Sequence, residues 1–350
     1  MEHLHLSITN IRKETNNSKS YFIEEVNGKK IEYKAGQFFT LLVNLNGKEV
    51  RRSYSISSAP GVDEVIYFTI KRIENGELSR YLFDHLHVND ILTSLPPSGR
   101  FTIEEAESKS AVFISAGSGI TPVFSLIKRL LYQFKETNVL LINQNHNEGE
   151  SIFRKELLSL QQIFKERFTL REIFSHPLDL KRSPQRLNNN LLEKILLQDV
   201  LDSSVRFYLC GPEAFMRMAL FTLKVMGYSH DTIRRENFFA TAPPPPFMTD
   251  TTPHNVIINY HNKKYHLQVA YPHNILEVAL RHHIRLPFSC RGGRCSTCTS
   301  RCTSGRVKMS INDVLTPQDL DRGLILTCVS YPETDVELTF ETLERGESIF

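Results

Sequence analysis

With 350 residues the chain has room for two or three domains, each burying a core of its own. Its 42 basic and 39 acidic side chains leave a formal net charge of +3, too small a bias to predict nucleic acid or a membrane surface as partner. Residues 1–6 lack both the basic and the apolar segment of a secretory leader, and no apolar run nears the ~18 residues of a membrane span.

From residue 4 to about 101 the pattern is β. Short alternating runs at 38–45, 54–56 and 65–73 are set off by turn dipeptides such as Asn27-Gly28, Asn46-Gly47 and Pro60-Gly61. Strands at this spacing predict a barrel or sandwich. Within it lie Arg51-Arg52-Ser53-Tyr54-Ser55 and then Gly76-Glu77-Leu78-Ser79. Ser79 is expected to N-cap a short helix running to Leu86, and a helix N-terminus favours an anion. An arginine, an aromatic ring and a helix-start serine are parts from which a flavin and its pyrophosphate can be held. Each alone is also an ordinary surface arginine, strand tyrosine or cap.

The pattern then changes. An apolar strand at 111–115 leads into Ala116-Gly117-Ser118-Gly119-Ile120-Thr121-Pro122 and an amphipathic segment to about 134. Strand, glycine loop and helix form a phosphate cradle, with Pro122 suited to the first turn. A lone G-x-G is weak evidence, and the context strengthens it. Further runs at 139–142, 152–160, 168–174 and 191–197 precede Phe207-Tyr208-Leu209-Cys210, which enters Gly211-Pro212-Glu213 and a helix to Met226, stopped by Gly227. Such alternation predicts a parallel α/β sheet, with Cys210 at the strand end where these sheets bind ligands.

Pro243 to Pro246 mark a stiff linker over 241–253. Beyond it, runs at 256–260 and 265–269 predict a hairpin, and 275–283 a helix. Then comes Cys290-Arg291-Gly292-Gly293-Arg294-Cys295-Ser296-Thr297-Cys298, with Cys328 thirty residues on. This C-x4-C-x2-C…C spacing is that of a plant-type [2Fe–2S] cluster. Gly292 and Gly293 suit a tight loop whose N–H groups point at sulfur. Zinc would prefer a second C-x2-C pair, and disulfides an oxidising compartment. Cys302 imitates the end of a bacterial cluster motif, but the first spacing and the missing proline favour Cys328 as fourth ligand. Thiolate chemistry makes the cytoplasm the expected location.

With these motifs in this order, the chain resembles the ferredoxin–NADP reductase superfamily, in the branch with a C-terminal plant-type ferredoxin domain. Within it the likeness is to reductase components of the phenylacetyl-CoA ring epoxidase. The matching stretches are Arg52-x-Tyr54-Ser55, Gly76-x-x-Ser79, Gly117-x-Gly119-Ile120-Thr121-Pro122, Cys210-Gly211-Pro212-x-x-Phe215-Met216 and the four cysteines. The resemblance implies an all-β FAD-binding barrel (1–104), an α/β parallel-sheet nucleotide-binding domain (105–240), the linker (241–253) and an α+β β-grasp ferredoxin-like domain (254–350). It implies FAD, NADH or NADPH, and one [2Fe–2S] cluster as cofactors.

Residue by residue, Arg52 and Ser79 would take flavin phosphates, helped by Gly76 and Lys71. Tyr54 would pack on the flavin, and Ser55 would lie near its N5. Gly117, Gly119, Thr121, Pro122, Gly211 and Pro212 would line the nucleotide channel, with Cys210 beside the nicotinamide. Glu236 and Phe238 would close over the flavin, and Ser55, Cys210 and Glu236 form the expected catalytic set. Where relatives using NADPH carry arginine, this chain has Asn145-His146 and Ser175-His176, which tilts the expectation to NADH, unless Arg186 compensates. The implied activity is electron transfer from NAD(P)H to a partner oxygenase, first the phenylacetyl-CoA epoxidase. A Rieske hydroxylase or deoxysugar dehydratase as partner, or a redox sensor without turnover, are the rival readings.

Overall fold

The computed structural model describes residues 3–103, 109–200, 204–238 and 242–340. The chain divides into two compact units, residues 1–238 and 239–350. The expected boundaries at 104/105 and 240/241 fall outside the described residues.

The first unit opens with β1 (Leu4–Thr15), β2 (Ser18–Glu25), β3 (Phe38–Leu45), β4 (Lys48–Ser55), β5 (Ile66–Lys71), helix α1 (Glu77–His85) and β6 (Ile91–Ser98). The strands pair antiparallel in the order β4-β3-β6-β1-β2-β5. A bridge between Ile56 and Phe68 joins the two edges and closes the barrel. Closure removes the open edges that would otherwise template aggregation. Alternation places Leu6, Ile8, Tyr21, Ile23, Phe39, Leu41, Phe68 and Ile70 inside as one core.

The second half contains β7 (Ser110–Ala116), α2 (Ile120–Gln133), β8 (Asn138–Asn145), α3 (Arg154–Ile163), β9 (Phe168–Phe174), α4 (Asn189–Asp199), β10 (Val205–Cys210), α5 (Glu213–Val225) and β11 (Ile233–Glu236). All five strands run parallel, in the order β11-β10-β7-β8-β9. Central strands of such a sheet are covered on both faces. Accordingly Ala111 and Phe113 pack with Val123, Ile127 and Leu157 of α2 and α3. Val112 and Ile114 pack with Leu192, Ile195, Ala219 and Leu223 of α4 and α5. The chain moves outward from β7 to β9 and then returns to β10 on the other side. The order therefore reverses between β7 and β10, which is where sheets of this kind bind ligands.

Barrel and sheet share a core: Ala35 and Tyr67 belong to the same cluster as α2. Polar struts add to it. Ser125 Oγ donates to the Ser58 carbonyl at 2.5 Å, and the Lys128 ammonium is bound by Asp63 and by the Tyr67 hydroxyl. Burial pushes the Lys128 pKa down to about 8, against the pull of Asp63.

The second unit comprises β12 (His254–Tyr260), β13 (Lys263–Val269), α6 (Ile275–Arg281), β14 (Thr299–Ser304), β15 (Val307–Met309), α7 (Pro317–Asp321), β16 (Leu324–Leu326), β17 (Ser330–Pro332) and β18 (Val336–Thr339). Its main sheet has the order β13-β12-β18-β14-β16, with β12 and β18 parallel. His261 and Asn262 turn the β12–β13 hairpin, both at positive φ (50° and 57°), the geometry of a two-residue primed turn. Asn274 starts α6 with a reciprocal capping box to Glu277. The helix lays Ile275, Leu276, Val278 and Ala279 onto a core that also holds Cys298 and Cys328.

One local expectation is corrected. The N-cap of α1 is Gly76, and no side chain caps the helix. Ser79 lies inside the first turn, where its hydroxyl donates to the Gly76 carbonyl and accepts from the Ile73 N–H, each at 3.3 Å. A Cβ at Gly76 would stand 2.2 Å from that hydroxyl, so the glycine makes room for the serine to fold back.

Candidate functional site

At the sheet's reversal point, two loops meet. The Gly117–Gly119 turn follows β7, and Gly211-Pro212 follows β10. A Cβ on Gly119 would fall 2.0 Å from the Cys210 carbonyl oxygen, so only glycine permits this contact. Gly117 has φ +57°, and a Cβ there would be 3.7 Å from the Lys71 ammonium. Lys71, expected with the flavin, thus stands over the nucleotide loop. Thr121 is buried, its hydroxyl donating to the Ser118 carbonyl at 3.0 Å; Pro122 sits in the first turn of α2, and Pro212 is the N-cap of α5. Ser115 Oγ donates to Asn143 Oδ1 at 2.8 Å beneath the loop, a buried pair with no sequence signal.

The three residues expected to be catalytic converge here. Register pairs Cys210 with Glu236 across β10 and β11, and Ser55 Oγ donates to Glu236 Oε2 at 3.5 Å from the end of β4. All three are buried. Burial lifts the Glu236 pKa to about 8, only partly opposed by the Ser55 hydrogen bond. Its carboxyl therefore keeps a proton at neutral pH. The Cys210 thiol is likewise pushed up, by burial first and then by Glu236, and is no nucleophile.

Arg52 and Tyr54 are two residues apart on β4 and so share a face. The Arg52 guanidinium is exposed and donates to the Arg51 carbonyl at 2.8 Å, while Tyr54 is half-buried with its ring 6.1 Å from Phe68. Together with the uncapped first turn of α1 they suit an extended anionic cofactor such as FAD. Phe238, 43% exposed, stands two residues beyond Glu236.

At the outer end of the sheet, His146 and His176 follow β8 and β9. Their Nδ1 atoms are 3.1 Å apart, and Ser175 Oγ lies 3.1 Å from His176 Nδ1. Arg186 is exposed and makes no side-chain pair among the described residues. Its neighbours tie it to the same strand ends, since Gln185 N–H donates to the Phe174 carbonyl and Leu187 N–H to Gln144 Oε1.

In the second unit the four cysteines are brought together. Cys290 contacts Cys295 and Cys328, and Cys328 also contacts Cys298. The Cys290 N–H donates to Cys295 Sγ at 3.4 Å, and the Gly292 N–H to Cys290 Sγ at 3.3 Å. Contact with Cys295 and Cys328 draws the Cys290 thiol well below its ordinary range, whereas contact with Cys290 pushes Cys295 and Cys328 up. Four thiols so close cannot all ionise without a cation to share. They form a string of pairs, Cys295–Cys290–Cys328–Cys298. A string of pairs fits a two-iron cluster better than one zinc.

The loop is built for this. Gly293 has φ +70°, and a Cβ would meet Ile311 at 2.7 Å. Arg294 pairs with Asp313 at 3.2 Å. Thr327 donates from both N–H (3.2 Å) and hydroxyl (3.0 Å) to the Cys298 carbonyl, tying the loop to the turn that carries Cys328. Asp313 and Thr327 are invisible to motif reading, because the fold of the loops rather than any fixed spacing brings them here. Cys302 lies on β14, its thiol donating to the Ser304 carbonyl at 3.3 Å.

Three family models match the chain in order: an oxidoreductase FAD-binding domain over 6–103, an oxidoreductase NAD-binding domain over 113–220, and a 2Fe-2S iron-sulfur cluster binding domain over 258–333. The chain is 31% identical over 354 residues to the ferredoxin reductase component of 3-ketosteroid-9-alpha-monooxygenase from Mycolicibacterium smegmatis, covering 97% of both chains. It is also 31% identical over 327 residues to a component of 1,2-phenylacetyl-CoA epoxidase from Escherichia coli, covering 88% of this chain and 89% of that one. Phthalate dioxygenase reductase shares the fold, with a TM-score of 0.61 at 22% identity over 97% of this chain and 98% of that one. Among the described residues no helix is long and apolar enough to cross a membrane. The chain belongs to the ferredoxin–NADP reductase superfamily, in the branch with a C-terminal [2Fe–2S] ferredoxin domain, and is an NAD(P)H-dependent flavin and iron–sulfur oxidoreductase.

Proposed function

We propose that the chain takes reducing equivalents from NADH and hands them singly to an oxygenase component, the phenylacetyl-CoA epoxidase first. Near full-length likeness to components of monooxygenase and epoxidase systems carries this reading. FAD and the [2Fe–2S] cluster supply the conversion of a two-electron donor into a one-electron donor. The protein's part is placement. Arg52 and the first turn of α1 bind flavin phosphates, with Gly76 and Ser79 shaping that turn, and Tyr54 packs on the flavin. Gly117, Gly119, Thr121, Pro122, Gly211 and Pro212 shape the nucleotide channel, and Lys71 reaches its phosphates. Ser55, Cys210 and Glu236 line the point where nicotinamide and flavin rings meet, with Glu236 holding a proton there and Phe238 covering the outside. Cys290, Cys295, Cys298 and Cys328 would hold the cluster.

The division into 1–104, 105–240, 241–253 and 254–350 is part of this proposal, as is the cytoplasm. All six cysteines are unbridged, which a reducing compartment would explain. At the outer end of the nucleotide site, two mutually facing histidines replace an arginine fork, so a 2′-phosphate gains no fixed charge from them.

Identity is 31% to both the epoxidase component and the 3-ketosteroid-9-alpha-monooxygenase component, over 88% and 97% of this chain, so the test sets the two oxygenases side by side. Phenylacetyl-CoA epoxidation should proceed with NADH at pH 7.5 at least as well as with NADPH, and 3-ketosteroid hydroxylation should be far slower. Turnover of the steroid alone would replace the partner. A tenfold preference for NADPH, about 1.4 kcal/mol in transition-state binding, would overturn the nucleotide choice and point to Arg186.

A further inference from the structure

Between Glu277 and Asp313 the sequence carries seven arginines and lysines and no acidic residue. This stretch includes three of the four cluster cysteines. Some of its charges are already engaged. Arg294 pairs with Asp313 at 3.2 Å, and Lys308 Nζ donates to the Phe247 carbonyl at 2.9 Å. Arg301 is half-buried, whereas Arg306 is exposed and tied only by its backbone, its carbonyl accepting from the Glu333 N–H. Nearer the cysteine loop, Arg281, Arg285 and Arg291 are exposed too.

Two of these precede the cysteine loop in sequence and the third lies within it. Arg291 directly follows Cys290, is held at φ 51°, and lays its guanidinium 4.4 Å over the Phe288 ring. A positive charge is thereby fixed beside the first sulfur. Arg285 is five residues before Cys290 and pairs with no side chain among the described residues. Arg281 closes α6, its guanidinium 3.3 Å from His273 Nδ1, with the exposed His282 and His283 next to it. Helix α6 itself packs against the Thr327–Val329 turn that bears Cys328. The carboxylates that bound this stretch in sequence are occupied: Glu277 in the capping box and near His273, Asp313 with Arg294.

The sulfurs are not equally deep. Cys298 and Cys328 are buried, whereas Cys290 and Cys295 are half-exposed. An electron acceptor therefore comes nearest on the side of Cys290 and Cys295, where Arg291 directly follows Cys290. Like charges gathered without counter-charges cost stability and steer anionic partners at a distance. We propose that this face of the cluster domain is the docking surface for the electron acceptor, and that it fits a protein presenting an acidic patch around its redox centre. The proposal rests on the electron-transfer reading above and adds the character of the acceptor's surface.

The test uses the full-length holoprotein with NADH and two acceptors that share one haem and one fold. Native cytochrome c is basic, and succinylated cytochrome c carries carboxylates in place of its lysine charges. At ~10 mM salt the succinylated form should be reduced roughly tenfold faster, with the advantage fading near ~200 mM as the screening length shrinks. The double variant Arg281→Glu with Arg285→Glu should abolish or reverse that order, while the rate at which NADH reduces its flavin, in the other compact unit, stays unchanged. Equal rates for the two cytochromes, or a faster native form, would overturn the docking surface while leaving the reductase reading intact. Equal rates together with salt-sensitive binding to anionic vesicles would reassign the patch to a membrane. If NADH reduces none of the acceptors, the underlying reading fails and the docking surface falls with it.

Discussion

Replacing Cys328 by serine is expected to strip the protein of its cluster, lowering iron from about two per chain to a small fraction of that. Flavin content should be unaffected, because the flavin residues belong to the other compact unit. Cys302→Ser should retain both irons. The contrast follows from position. Cys328 is buried and contacts both Cys290 and Cys298, so its loss opens the string of sulfurs in the middle. Cys302 spends its thiol on the Ser304 carbonyl in its own strand. Iron and acid-labile sulfide analysis, read with the visible spectrum, decides the matter. Iron retained in the Cys328 variant and lost in the Cys302 variant would exchange the two assignments.

A second large effect is expected at Gly119. Adding one methyl places a carbon 2.0 Å from the Cys210 carbonyl oxygen and 2.8 Å from the Gly211 nitrogen, all backbone atoms that cannot swing aside. Either the start of α2 or the β10–α5 loop must move. Overpacking of this kind costs about 1–3 kcal/mol, or roughly 2–12 °C in Tm for a unit of this size. The larger consequence is functional, since the displaced loops frame the nucleotide channel: KM for NADH should rise by about tenfold or more, equal to ~1.4 kcal/mol of binding. Gly149→Ala serves as control in the same sheet domain, because its Cβ would meet nothing closer than Asn147 Oδ1 at 3.3 Å. Unchanged Tm and KM in Gly119→Ala would mean that the two loops do not pack as described.

Much of the architecture is legible in the chain. The runs at 38–45 and 168–174 coincide with β3 and β9, because each is a compact apolar segment bounded by turn residues. The four cysteines announce themselves because a cluster fixes its ligand spacing. Ser79 misleads as a cap for a definite reason: cap preference names residue types, while the actual cap depends on which backbone can turn, and here Gly76 turns. Contacts that depend on register are not legible. Ser55 and Glu236 are 181 positions apart and meet only because β4 ends where β11 does. The raised proton affinity of Glu236 is a property of that burial, not of the residue type. His146 and His176 stand out as departures from an arginine pattern, but their mutual contact arises from the parallel register of Asn145 with Phe174.

The central claim is that electrons entering from the nicotinamide reach the cysteine-bound cluster within one chain. Anaerobic titration of the holoprotein with NADH, followed by flavin absorbance and low-temperature electron paramagnetic resonance, tests it most directly. Flavin bleaching should be accompanied by the rhombic signal of a reduced [2Fe–2S] centre, approaching about one per chain. Bleaching of the flavin with the cluster left oxidised until a chemical reductant is added would contradict it.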